Sequence, residues 1–233
     1  MDYSGRHVVI TGGTGALGTA VVGVLIAAGA TCHIPYRHEG ELAYFPHRDH
    51  RQVKLALGVE LADEAAVAGF FAGVPQLWGS VHLAGGFAPG RVSDTGKDAL
   101  MGQIEVNLAT CFLCCRAAVN AMVRTGAGGR IVNVAARPAL EWRAGASMTA
   151  YAVSKAAVAA LTVALAEEVV GDGILVNAIA PSTMDTPANR KAMPKADYAA
   201  WPKVEEVAAT ILFLASPDNR VTRGAVVPVY GRS

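Results

Sequence analysis

The sequence predicts an α/β fold, a doubly wound parallel sheet of seven strands with helices on both faces. Two observations carry that expectation. Short β-branched runs alternate with Ala-rich stretches of helical length along the whole chain, the pattern of successive strand–helix–strand units. The 233 residues, 52% hydrophobic and 17% charged, supply enough apolar side chains for a sizeable core, which excludes a disordered chain.

His7-Val8-Val9-Ile10-Thr11 reads as a short buried strand that stops at Gly12-Gly13-Thr14-Gly15. A helix is expected over 16–28, closed by Gly29, a residue type common just past a helix C-terminus. Strands follow at 30–36 and 53–57, a helix at 63–71, and a fourth strand at 79–83 that ends at Ala84-Gly85-Gly86. A long helix is expected over 97–124, stopped by the glycines at 126–129, and a fifth strand at 130–134. A second long helix over 149–170, a sixth strand at 174–178, a helix over 204–215 and a last strand at 225–229 complete the order. No repeat, low-complexity segment or linker interrupts it, so residues 1–233 read as one domain.

Twenty basic against nineteen acidic residues leave a net charge of +1, with no charge run. That balance argues against a nucleic-acid surface or a polybasic membrane surface. Four cysteines, Cys32, Cys111, Cys114 and Cys115, are too few and too clustered for a secreted disulfide framework. The first residues lack an apolar signal core and no apolar run looks long enough to span a bilayer, so the expectation is a soluble cytoplasmic protein.

Thr11-Gly12-Gly13-Thr14-Gly15-Ala16-Leu17-Gly18 lies between an expected strand and an expected helix. Small residues there permit a tight turn and bring backbone N–H groups close to a pyrophosphate. The helix N-terminus adds partial positive charge, so the turn points to a dinucleotide. Gly12, Thr14, Gly15, Leu17 and Gly18 are its candidate cofactor contacts. The end of strand two chooses the cofactor: an acid there bonds a ribose 2′-hydroxyl, whereas an Arg accommodates a 2′-phosphate. It reads Pro35-Tyr36-Arg37-His38, with no acid before Glu39, so Arg37 favours NADP(H) over NAD(H).

Tyr151-Ala152-Val153-Ser154-Lys155 opens the second long helix, and its i, i+4 spacing puts Tyr151 and Lys155 on one face. A phenol titrates near pH 10 in water, and a neighbouring ammonium favours its phenolate. Such a pair can move a proton to or from a substrate oxygen.

With these residues the chain resembles the short-chain dehydrogenase/reductase family, and the resemblance runs through nearly all of it. The turn from Thr11 to Gly18 is similar to the family's T-G-x-x-x-[AG]-x-G element, and Glu60-Leu61 to the pair contacting adenine. Ala84-Gly85 is similar to the end of N-N-A-G, with His82-Leu83 in place of both asparagines. Asn107 matches the Asn of the long fourth helix, and Tyr151 with Lys155 the catalytic pair. Asn177-Ala178-Ile179-Ala180-Pro181-Ser182 resembles N-A-I-x-P-G, and Thr186 stands at the nicotinamide-carboxamide position, with Pro181 and Thr183 as further cofactor candidates. The resemblance implies a Rossmann fold of strand order 3-2-1-4-5-6-7 and hydride transfer between NADP(H) and a carbonyl, alcohol or activated ring. It implies Tyr151 as acid/base, Lys155 lowering its pKa and binding the nicotinamide ribose, and Asn107 holding a proton-relay water through a helix distortion. It also implies a homodimer or homotetramer, through a four-helix interface of 97–124 and 149–170, whose small residues include Ala117, Ala118, Ala156, Ala157, Ala159 and Ala160. Independently of the family, Gly12, Ala84, Ala135 and Pro181 follow strands one, four, five and six, so all four belong at the carboxyl edge of the sheet, where ligands bind.

One departure stands out. The family places a catalytic Ser after strand five, but no hydroxyl side chain occurs between Val134 and Ala146. Ser147 is the nearest candidate, as a replacement donor or as a helix N-cap, the role its residue type favours. Dihydropteridine reductase lacks that serine too, and the resemblance to it extends to Ala84-Gly85-Gly86-Phe87 and to 185–194 but weakens at Tyr36-Arg37. Two other readings are an NADP-sensing regulator, disfavoured by the retained Tyr151 and Lys155, and a nucleotide-sugar epimerase, for which the chain is too short. Cys111, Cys114 and Cys115 on one helix read as small apolar residues rather than metal ligands. His38, His47 and His50 read as a polar loop, and 189–201 as a surface loop or a lid over the substrate.

Overall fold

A computed structural model describes all residues 1–233. Strands β1 (His7–Thr11), β2 (Thr31–Tyr36), β3 (Val53–Leu57), β4 (Leu77–His82), β5 (Gly129–Val134), β6 (Ile174–Pro181) and β7 (Val226–Val229) form one sheet in the order β3-β2-β1-β4-β5-β6-β7. Every pairing is parallel; Val8 lies beside Cys32, Val9 beside Ser80, and Ile131 beside Val176. The doubly wound α/β expectation is met, strand order included. Parallel strands covered on both faces read as continuous apolar runs, and all eight residues of β6 are buried.

Helices α1 (Ala16–Ala27) and α8 (Val204–Leu214) cover one face. Leu17, Val21, Val22 and Leu25 of α1 join Val207, Ala208, Ile211 and Leu214 of α8 over Val8, Ile10 and Ile34 of the sheet. The other face carries α2 (Glu64–Ala72), α3 (Lys97–Ile104) with α4 (Thr110–Thr125), and α6 (Thr149–Glu168). Val67 and Phe71 of α2, Cys111, Cys114 and Met122 of α4 and Val158 and Ala166 of α6 pack there on Val9, Ile131 and Val176. Asp63 caps α2 by accepting from the Ala66 amide at 2.9 Å, and Gly126, at φ 66°, ends α4 in the left-handed region.

Several sequence expectations are corrected. The stretch 97–124 is not one regular α-helix: Glu105–Ala109 forms a π-turn between α3 and α4, the helix distortion at Asn107 that the resemblance implies. Short helices α5 (Arg137–Leu140) and α7 (Pro187–Ala192), each with a proline in its first turn, occupy segments where no element was expected. The stretches Lys97–Thr125 and Thr149–Glu168 do have the length and composition of a membrane span, with a mean hydropathy of 1.5 in their most apolar window, contrary to the sequence reading. Both contribute to the sheet-covering core. Ala118 and Ala159 point into the molecule, so they are not surface for a partner, whereas Ala160, Phe112 and Val163 are exposed.

Two glycines make the β1–α1 turn. Gly12 lies at φ 65°, and a Cβ there would stand 2.8 Å from the Ala84 amide nitrogen. A Cβ on Gly18 would lie 2.1 Å from the Gly12 carbonyl oxygen. Backbone on both sides cannot yield as a flexible side chain does. Gly18→Ala should therefore cost at least the usual overpacking penalty, about 3 kcal/mol, which lowers the melting temperature by roughly 6–12 °C for a chain of this size. An unchanged calorimetric melting curve would contradict the packing.

Candidate active site

In the strand order, β1 and β4 are neighbours although the chain runs away from them in opposite directions. The crevice at this switch point, on the carboxyl edge, is where an open α/β sheet receives a ligand. Thr11, at the end of β1, accepts a hydrogen bond at Oγ1 from the Ala84 amide at 3.3 Å, tying the glycine-rich turn to the segment after β4.

That segment leads into a bonded relay. Asn107, buried in the π-turn, accepts from the Gly86 amide at 3.0 Å and donates to the Gly86 carbonyl at 2.9 Å and to Ser154 Oγ at 3.1 Å. Ser154 in turn donates to the Tyr151 carbonyl at 2.8 Å. The wider π-turn breaks the regular ladder and brings the Asn107 side chain to the Gly85–Gly86 backbone. Gly85 has to be glycine here, since a Cβ would sit 2.6 Å from Asn107 Oδ1 and 3.3 Å from Lys155 Nζ.

Tyr151 and Lys155 line a cavity of about 240 Å³ together with Leu17, Gly85, Phe87, Ala135, Pro181 and Ser182. The Phe87 ring meets Tyr151 edge-on, centroids 5.0 Å apart, a favourable quadrupolar arrangement that fixes the phenol. Lys155 is buried and its ammonium donates to the Val134 carbonyl at 2.8 Å. Burial pushes the Tyr151 phenol up to about 12. Burial also pulls Lys155 down to about 8, with Cys111 acting weakly the other way. The expected lowering of Tyr151 by Lys155 is not met in this arrangement, because desolvation dominates at the phenol.

The remaining sequence candidates divide. Gly12, Thr14, Gly15, Gly18, Ala84 and Gly85 are brought together around the switch point. Glu60 is exposed and pairs with Arg37 at 3.2 Å, while Leu61 packs against the core under α2. Thr183 is half-buried after β6, and Thr186 caps α7, accepting from the Asn189 amide at 3.1 Å. Ser147 is not brought in. It is exposed, sits at φ 61°, and its carbonyl accepts from the Gly90 amide. Neither of its expected roles is seen, since the N-cap of α6 is Met148 and Ser147 does not line the Tyr151 cavity.

Sequence reasoning missed Phe87 and Ser182 as cavity residues, and Glu41 altogether. Ser182 is the one serine or threonine that lines the cavity, but it already bonds the Tyr230 carbonyl at 3.0 Å and Ser233 at 2.8 Å. Behind the cavity, His82 bonds Ser80 at 2.7 Å and Asn133 at 2.8 Å, and the Cys115 sulfur lies 3.5 Å from it. With Cys111 these groups form a buried cluster that no spacing on one helix could reveal, because His82 comes from β4.

The donor set fits a dinucleotide: glycines whose Cβ atoms would fill the turn, free backbone at the head of α1, and a basic residue after β2. Such a sheet edge receives nucleotide cofactors, and with the family match it makes the chain an NAD(P)-dependent oxidoreductase. The family model for short chain dehydrogenase matches residues 6–197, and the chain belongs to the short-chain dehydrogenase/reductase family. It is 30% identical to the 2-dehydro-3-deoxy-L-rhamnonate dehydrogenase (NAD(+)) of a Sphingomonas species, over 98% of this chain and 95% of that one. A short-chain type dehydrogenase/reductase from Mycobacterium ulcerans is 25% identical and superposes with a TM-score of 0.89, covering 100% of this chain and 90% of that one. ElxO, solved with NADP bound, superposes with a TM-score of 0.87 at 23% identity over 97% of each chain.

The buried ammonium has a measurable cost. Lys155 titrates near 8 in the folded chain and near 10.4 when unfolded. Between those values the unfolded state binds more protons, so stability rises with pH, and at or below pH 8 the folded state carries the full penalty. Lys155→Met should remove it at the expense of the Val134 hydrogen bond, a net gain of about 2 kcal/mol. At pH 7 that raises the melting temperature by roughly 4–8 °C, and the gain should shrink toward pH 10. A lower melting temperature for the variant at pH 7 would contradict the penalty.

Proposed function

We propose that Tyr151 is the acid/base of this oxidoreductase, acting on a carbonyl or alcohol carbon presented in the cavity beside Phe87. The observation that carries this is the placement of Tyr151 and Lys155 together in a cavity at the switch point, with Asn107 bonded through Ser154 to the same helix. Bound along Gly12, Gly15, Gly18, Ala84, Pro181, Thr183 and Thr186, the cofactor would supply or accept the hydride. Tyr151, protonated at neutral pH, gives its proton to the substrate oxygen in the reducing direction. Lys155 sets the field at the phenol and holds the nicotinamide ribose, and Asn107 orders the water that returns the proton.

Arg37 after β2 supports NADP(H) over NAD(H), although the 30%-identical relative is named for NAD(+). Exposed Phe112, Val153 and Val163 on α4 and α6 support assembly into a homodimer or homotetramer of one-domain subunits.

The substrate class follows from what the cavity lacks. Its walls are apolar apart from Tyr151, Lys155 and Ser182, and Ser182 is already engaged. A missing oxyanion donor typically costs a hundredfold or more, on the order of 3 kcal/mol, for a carbonyl that develops full charge. An electron-poor substrate, such as a quinonoid ring or a vicinal dicarbonyl, loses less.

The test has two parts. Tyr151→Phe should lower kcat by roughly 10²–10⁴-fold with cofactor affinity unchanged by calorimetry, and wild-type turnover would place the chemistry elsewhere. Ser147→Ala should leave kcat/KM within about twofold for every substrate, and vicinal dicarbonyls should turn over faster than aliphatic ketones. A large loss in that variant would return Ser147 to the site.

A further inference from the structure

Taken alone, the cysteines of α4 fill space, but His82 of β4 and Asn133 of β5 meet two of them beneath the helix. The donor atoms of His82, Cys111 and Cys115 all lie within 4.8 Å of one another. The Cys115 sulfur is 3.5 Å from His82 Nδ1 and 3.4 Å from Asn133 Oδ1, and those two atoms are 2.8 Å apart. All four side chains are buried. Cys114, on the same helix, stands outside the group.

Three features carry this cluster past an ordinary polar layer. The first is its donor set and spacing. Cys111 and Cys115, at i and i+4, share a helical face, and two thiolates with an imidazole are zinc ligands. A tetrahedral Zn²⁺ keeps such donors about 3.3–3.8 Å apart. Two of the three distances above fall in that range, and His82 and Asn133 have to part by only about half an ångström. The second is charge. Two thiolates cancel a divalent cation, so a dry layer acquires no net charge when the metal is held. The third lies on the far side of the ring and does not involve the thiols. Ser80 Oγ, fully buried, is 2.7 Å from His82 Nε2. A metal-ligating imidazole has its other ring nitrogen fixed by such an outer partner.

We infer that His82, Cys111 and Cys115 form a zinc site, with Asn133 Oδ1 at its fourth position. None of the four lines the Tyr151 cavity, so the site is separate from the one where substrate is proposed to bind. Binding displaces the two thiol protons and places the imidazole proton on Nε2, which then donates to Ser80 Oγ. With all four positions filled by protein the metal has no place for a water, so its role is structural. β4 ends two residues before Ala84, and α4 begins directly after the π-turn that carries Asn107. The metal therefore joins, from below, the two segments that meet at Gly86. Buried as it is, the site loads as the chain folds.

The test is metal content and spectrum in tag-free protein expressed in medium supplemented with Zn²⁺ or Co²⁺, beside protein from metal-depleted medium. One zinc per chain should survive gel filtration, and zinc at a hundredfold excess over its Kd should raise the melting temperature by roughly 5–10 °C. The cobalt form should show a thiolate-to-metal charge-transfer band and the intense visible bands of a tetrahedral site. His82→Asn, which restores the residue of the N-N-A-G element, and Cys115→Ala should each lose the metal and the thiolate band, while Cys114→Ala keeps both. Ser80→Ala should weaken zinc by roughly 10–100-fold in competition with a chromophoric chelator. If the two ligand variants fail to fold, the cobalt spectra of wild-type and Cys114→Ala protein still decide. Wild-type protein with far less than one zinc per chain, or a cobalt spectrum without the thiolate band, would overturn the inference. So would zinc retained in both ligand variants, which would place it on other imidazoles such as the His7–His33 pair.

Discussion

Backbone touching backbone at the switch point is the constraint on which the rest of this molecule depends. The Gly12 Cα faces the Ala84 amide so closely that no side chain fits between them, and the Thr11 hydroxyl closes the same seam from beside it. From that seam the geometry passes outward through bonded groups. The Gly85–Gly86 backbone is clamped by both ends of the Asn107 amide, Asn107 bonds Ser154, and Ser154 bonds the Tyr151 carbonyl. The glycine-rich turn and the Tyr151 backbone are therefore joined through these bonds and the short segment Ala84–Gly86. A proton donor has to be placed within a fraction of an ångström to act in a transition state. Here the backbone that carries the proposed donor, Tyr151, is tied to the glycine packing at the seam between β1 and β4.

What was legible in the sequence was what depends on near neighbours. The strands show as β-branched runs, the turn after β1 as glycines, and the Tyr151–Lys155 pair as a helical spacing. Asn107 was legible only through resemblance, because nothing in Val106-Asn107-Leu108 announces a π-turn; that turn exists because α3 and α4 meet the Gly86 backbone and Ser154 of α6. Ser147 shows the opposite failure. Its residue type suits a helix cap, but the long-range bond from the Gly90 amide to its carbonyl accompanies a left-handed backbone, and the cap position passes to Met148. Glu41 was missed because counting along the chain ended at Glu39, while a single tight turn returns the next acid, Glu41, to the strand end.

The polar groups of the site are arranged at a thermodynamic loss to the fold. Lys155 holds a charge in a buried position with one carbonyl as its partner, and the strict glycines forgo the rigidity that alanines would give. Stability traded for a prepared site is common where a group must be charged or acidic on demand. His82, Ser80, Asn133 and Thr162 stand behind this region as a fully bonded polar layer in β4, β5 and α6. No buried side-chain polar atom is left without a partner. The burden therefore falls on two buried cations, Lys155 at the site and Arg130 in β5.

The same reasoning bears on the absent serine. A hydroxyl beside Tyr151 would share the charge that forms on a substrate oxygen, and on the proposed roles its loss leaves Tyr151 and Lys155 to carry it. Burial has raised the phenol and lowered the ammonium, so each group is held nearer to its neutral form than it would be in water. A neutral phenol donates its proton only when the acceptor has become basic enough to take it. Once hydride has arrived, the oxygen of an electron-poor carbonyl is a weaker base than that of a simple ketone, but the same electron demand lowers the barrier to hydride arrival. The substrate's own electron demand then does what the second donor does elsewhere. A site with a strong acid partner for its oxyanion suits unactivated carbonyls; one with an apolar wall, a fixed phenol and no spare donor suits substrates already prepared to receive electrons.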